Sequence, residues 1–127
     1  MLYQLTSSRD INEIDRELQG SAAKHQFGVI AVHNLQEMMK KKGVGFAMEC
    51  RIYEVCNPQQ AKKVLEGDGA ISTALPCRIS VYRSKGQYTL ATMLPTEMMK
   101  AFHSRGIQPI AKGVEEVLVR IMQDAAG

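Results

Sequence analysis

The sequence predicts an α+β fold, a single mixed or antiparallel sheet of about five strands with helices packed against it. Three observations carry that expectation. Residues 46–56 alternate in strand fashion. Residues 77–93 read as two strands joined by the turn Ser84-Lys85-Gly86-Gln87, which makes at least part of the sheet antiparallel. Apolar stripes at helical spacing near both ends of the chain give helices a face to bury against that sheet.

In chain order, residues 2–6 read as a short strand. Ser7 or Ser8 then caps a helix, with Asp10 three residues after Ser7 as in a capping box. Ile11, Ile14, Leu18 and Ala22 form its apolar stripe, and Asp15, Arg16, Glu17 and Gln19 fall mainly on the wet side. Residues 27–32 are a short continuous apolar run, which suits a central strand covered on both faces. Asn34 is the next cap, with Glu37 three residues on; that helix carries Leu35, Met38 and Met39 and stops at Gly43.

The strand at 46–56 follows, with Phe46, Met48, Cys50, Ile52, Glu54 and Cys56 on one face. Ala47, Glu49, Arg51, Tyr53 and Val55 lie on the other, and one face is mostly buried. Asn57-Pro58-Gln59-Gln60 is the strongest local signal: a good N-cap, proline at the first helical position, and a glutamine to close the box. The helix runs through Ala61, Val64 and Leu65 to Gly67. Residues 68–76 connect, with one helical turn at 71–75, to the strand bearing Cys77, Ile79 and Val81 on one face. After the hairpin, Pro95 and Thr96 open a short helix with Met98, Met99 and Phe102. The last helix comes after Gly106 and Pro109, with Ile110, Val114, Val117, Leu118, Ile121 and Met122 as its stripe.

A chain of 127 residues with 45% hydrophobic and 23% charged residues is expected to form one domain, residues 1–127, with its own core. Its apolar runs are too short to span a bilayer, and the first residues lack a basic stretch followed by an apolar one. No membrane association and a cytoplasmic setting are the expectation. The net charge of +3 is mild, and Lys40-Lys41-Lys42 falls at a helix end, where cations suit the macrodipole. With seven Phe and Tyr and no Trp there is no interleaved aromatic-basic platform, so nucleic acid is not an expected partner.

Three cysteines do not make a disulfide framework. Cys50 and Cys56 share one strand six residues apart, about 20 Å at roughly 3.3 Å per residue. A disulfide needs Cα atoms within about 7 Å. Cys56 and Cys77 are able to meet, because the chain turns back between them. Cys56 lies just before a helix N-terminus, where partial positive charge favours thiolate, the nucleophile and metal ligand. Cys77 follows Pro76 at a strand entry. Each thiol also reads as a small buried hydrophobe, and Cys50 reads as core. Asn57 is explained by capping, with a ligand-facing amide as the functional alternative. Arg78 is a ligand anion partner or a salt bridge. If a metal is held, Cys56 and Cys77 are its candidate ligands. His25, His33 and His103 form no metal motif, and there is no Cys-x-x-Cys, phosphate loop or nucleophile elbow. His33, before a cap, is placed to approach a site. Met38-Met39 and Met98-Met99 offer either core filling or a Met-lined groove.

Four pieces carry a family resemblance: Phe27-Gly28-Val29-Ile30, Lys41-Lys42-Gly43-Val44, Glu54-Val55-Cys56-Asn57-Pro58 followed by Ala61, and Leu75-Pro76-Cys77-Arg78-Ile79. With them the chain resembles, over nearly its whole length, the bacterial and archaeal family known as domain of unknown function 302. The resemblance implies a compact α+β domain, often dimeric, and it supplies no activity, cofactor or catalytic residues. It directs attention to Cys56, Asn57, Pro58 and Cys77. The chain departs from the acidic, charge-rich helices expected of the family, and Met98-Met99 and the mild positive charge point to a different partner surface.

Three functional classes follow. The first is a homodimeric binding module, with a small ligand near Cys56, Asn57, Cys77 and Arg78 and thiols ligating a soft metal, a haem iron or a sulfur species. The second is a structural or protein-interaction domain with both cysteines buried. The third is a thiol enzyme in sulfur transfer or redox chemistry, with Cys56 as nucleophile.

Overall fold

The computed structural model describes residues 2–127. Strand β1 (Leu2–Ser7) leads into helix α1 (Ile11–Lys24), then β2 (Gly28–Asn34), α2 (Leu35–Lys41), β3 (Cys50–Cys56) and α3 (Pro58–Gly67). A 3₁₀ segment, Gly69–Ala74, precedes β4 (Cys77–Ser84) and β5 (Gln87–Met93). Helix α4 (Pro95–Met98) continues as a 3₁₀ turn, Met99–Ala101, and α5 (Ile107–Ala126) closes the fold.

The five strands form one sheet in the order β1-β5-β4-β3-β2, and every neighbouring pair is antiparallel. The fold is therefore α+β, as the sequence predicts. The tight link between β4 and β5 places Lys85 at φ 52° and Gly86 at φ 79°. Two positive φ values in succession give the backbone twist that matches a hairpin, and glycine accepts the second without penalty.

Register decides which side chains share a face. Leu5 lies opposite Leu90, Leu90 opposite Val81, and Tyr53 opposite Ile79. These residues, with Val55 and Cys77, form the sheet side of the main core. Helices α1 and α5 cover it with Ile14, Leu18, Leu118, Ile121 and Met122. Polar contacts fix the end of α5 to β1 and α1. Ser7 Oγ donates to Ala126 O at 2.7 Å, and Ser21 Oγ donates to Asp124 Oδ2 at 2.7 Å. The Arg9 guanidinium donates to Asp124 O at 3.0 Å, which also suits a cation at a helix C-terminus. A second cluster, Val64, Ile71, Met99, Ile107 and Ala111, joins α3, the 3₁₀ segments and the start of α5. The opposite sheet face contributes no side chain to either cluster.

Several elements differ from the sequence expectation. The cap of α1 is Asp10, whose carboxylate accepts from Asn12 N at 2.8 Å, while Ser7 is the last residue of β1. The apolar run at 27–32 is not a central strand: β2 is the sheet edge, and Ile30 is 60% exposed. Its pairing with β3 shifts between Val29 and Ala31, so Ile30 has no cross-strand partner and the alternation restarts after it. The strand expected at 46–56 begins only at Cys50, because residues 44–49 form a loop. Gln36 holds that loop, its Nε2 donating to Phe46 O at 3.2 Å and Ala47 O at 3.0 Å. The last helix starts at Ile107, with Pro109 inside its first turn, where a missing N–H leaves no helical bond unmade. Among the described residues, no helix is long and apolar enough to cross a membrane.

Candidate functional site

The end of β3 and the start of β4 lie side by side, with Val55 opposite Cys77. Asn57 then turns the chain into α3. Its Oδ1 accepts from Gln59 N at 3.1 Å and Gln60 N at 3.2 Å, and Pro58 occupies the first turn. The cap read from sequence is therefore present. Its consequence is positional: α3 and the following 3₁₀ segment fold back over the strand ends, and Val64 and Ile71 are buried there.

A narrow cleft remains between this flap, α4 and the first half of α5. Its cavity volume is about 50 Å³, or about 530 Å³ with the open mouth counted. Cys56, Asn57 and Cys77 all line it. So do Met98 and Met99, with an otherwise apolar wall that includes Leu75, Val64 and Val114. The Leu75–Pro76 bond, also on this wall, is cis.

Cys77 is buried and Cys56 half-buried, and all three cysteines of the chain are free thiols. Burial first, and then a charge on Cys56, push the Cys77 thiol up to about 11, with Arg78 opposing the shift. Burial raises the Cys56 thiol as well. The expected thiolate at Cys56 is thus corrected. The amides of Gln59 and Gln60 are already occupied by Asn57, and loss of hydration on burial raises the thiol.

Arg78 does not line this cleft, but it lines a second pocket with Cys77 and Met98. It is exposed on the opposite sheet face, in register with Glu54. His33 also lies on that face, its Nε2 2.6 Å from Glu54 Oε1, and so it is remote from the thiols' cleft. Cys50 is buried at the far end of β3. Met38 is 49% exposed and outside the cleft. No cluster of three or more His, Cys, Asp or Glu side chains fit to hold a metal occurs among the described residues. The apolar wall residues carry no sequence signal of a cavity, because a side chain lining a void and one filling a core look alike in a helical stripe. Met98-Met99 did stand out in the sequence, and it is those two that the fold brings to the thiols.

A family model described as "Domain of unknown function DUF302" matches residues 3–125. The chain belongs to this family. The DUF302 match confirms the resemblance carried by the four sequence segments. A solved structure described as an uncharacterized conserved DUF302 protein from Bacillus stearothermophilus superposes with a TM-score of 0.91 at 28% identity, covering 98% of this chain and 97% of that one. No match to a curated protein was found.

Proposed function

We propose that this DUF302 chain is a homodimeric small-ligand-binding domain whose ligand sits in the cleft lined by Cys56 and Cys77. One observation carries the reading: two thiols from different strands reach one narrow apolar cleft, and one of them stays accessible. Sites for drug-sized ligands run to roughly 300–1,000 Å³. The enclosed part of the cleft, about 50 Å³, fits an ion or a few atoms better than a porphyrin. A soft metal or a small sulfur species is therefore favoured over haem.

The purely structural reading fits Cys77, which is buried, and fits Cys56 less well. The thiol-enzyme reading is weakened by the raised Cys56 thiol, because reactivity requires thiolate. For the second copy we assign the sheet face away from α1 and α5, where Leu2 and Met93 are 57% and 46% exposed.

Mass spectrometry and an absorption spectrum of protein isolated from its native host test the cleft, alongside Cys56→Ser and Cys77→Ser. The expected result is a bound species lost in the variants. A colourless, unmodified protein whose variants behave as the parent does in cells overturns the reading. Sedimentation at several concentrations tests the dimer, and a monomer throughout the range removes that part.

A further inference from the structure

We propose that the cleft holds a single soft monovalent metal ion of the copper(I) type, bound by the Cys56 thiolate and the thioethers of Met98 and Met99. The inference rests on the reading of the cleft as a ligand site and names its occupant.

Four sulfur-bearing side chains from β3, β4, α4 and the 3₁₀ turn after it line one cavity. No Asp, Glu or His lies on its wall, and its polar side chains, Asn57 and Gln60, are neutral amides. Thiolate and thioether donors select soft ions such as copper(I), whereas calcium and magnesium need oxygen ligands. Structural zinc takes four ligands from Cys, His and carboxylates, and this wall offers two.

Charge narrows the choice further. An apolar cleft penalises any net charge left inside it. One thiolate with a monovalent ion is neutral. One thiolate with a divalent ion leaves a positive charge, and two thiolates with a monovalent ion leave a negative one. Cys56, the less buried thiol, is the one to ionise, with Met98 and Met99 binding as uncharged thioethers. Binding breaks the Cys56 S–H bond and forms one thiolate–metal bond and two dative thioether–metal bonds. The proton goes to solvent, and no electron is transferred. That released proton is measurable.

The test is an anaerobic titration of the full reduced chain with copper(I) against a chromophoric copper(I) chelator. The expected result is one ion per chain, about one proton released per ion, and displaced methyl resonances of Met98 and Met99. Outer-shell changes commonly cost about 10–100-fold in metal affinity, so Cys56→Ser, which removes a ligand, is expected to lose more than about 100-fold. Met98→Leu with Met99→Leu conserves volume and keeps the fold, and it is expected to weaken binding at least about tenfold. Failure to withdraw copper(I) from the chelator overturns the proposal. So does binding that is unchanged in both the serine and the leucine variants. Incubation with a polysulfide separates the two readings. If Cys56 gains one sulfur atom by mass but no copper binds, the cleft stands as a ligand site and the metal inference falls. If neither occurs, both fall.

Discussion

Asn57 holds two first-turn amides of α3 through one oxygen. Replacing it with alanine leaves both without that partner. Asn57→Ala is expected to destabilise the fold by about 1 kcal/mol, and Asn57→Asp to retain most of it, as read by urea unfolding. Cys77 sets a pH dependence. Its folded value of about 11 lies above the ordinary 9.0, so between these limits the unfolded chain gives up a proton that the folded chain keeps. The thiol's contribution is complete below pH 9 and is lost as pH rises toward 11. The loss is on the order of 2 kcal/mol by linkage. Denaturant melts of the parent and Cys77→Ala from pH 8 to about 11 check this; the variant is expected to show the shallower decline. The cap was legible in the sequence because capping is local. The thiol shifts were not, because the residues that exclude water from Cys77 come from elements as distant as α5.

At the scale of elements, β2 and β3 show where periodicity misleads. A continuous apolar run fits a strand covered on both faces, yet β2 lies at the edge and its bulge turns Ile30 outward. Ile30→Lys is therefore expected to change stability by no more than about 0.5 kcal/mol in thermal or urea unfolding, where a central strand would lose several-fold more. The charge also suits an edge that must not pair with other chains. Residues 46–49 alternate like a strand and still form a loop, because Gln36 binds two of the carbonyls that a sheet neighbour would need. Alternation reports which side chains are apolar. It does not report whether a partner strand is present. The hairpin at Lys85-Gly86 was readable because its turn geometry depends on residues adjacent in sequence.

For the whole molecule, the main core depends on α1 and α5 lying together over one sheet face. Leu18 is fully buried in that layer. Leu18→Ala is expected to destabilise by about 2–5 kcal/mol, through lost transfer energy and the cavity left behind, as measured by calorimetry or urea unfolding. The same layer leaves the other sheet face without a cover, and it leaves the cleft at one end between the α3 flap and α5. The stable core and the candidate site thus share a wall, because Phe27, Val55 and Cys77 pack in the first and line the second.

The sequence by itself determined the α+β class, the antiparallel hairpin, the cap at Asn57, the helical stripes and the family, through short-range patterns and four sequence segments. It also marked Cys56, Asn57, Cys77 and Arg78 as candidate site residues, and Met38-Met39 and Met98-Met99 as core filling or a groove. Tertiary structure alone decided the strand order, the edge position of β2 and the burial that keeps both thiols protonated. It also decided that Arg78 stays off the cleft wall that Cys77 lines with Cys56. Neighbours on a strand point to opposite faces, and only packing settles which face becomes core and which stays open. The meeting of four sulfur side chains in one cleft belongs to the same level, since it depends on four segments being folded to a common place.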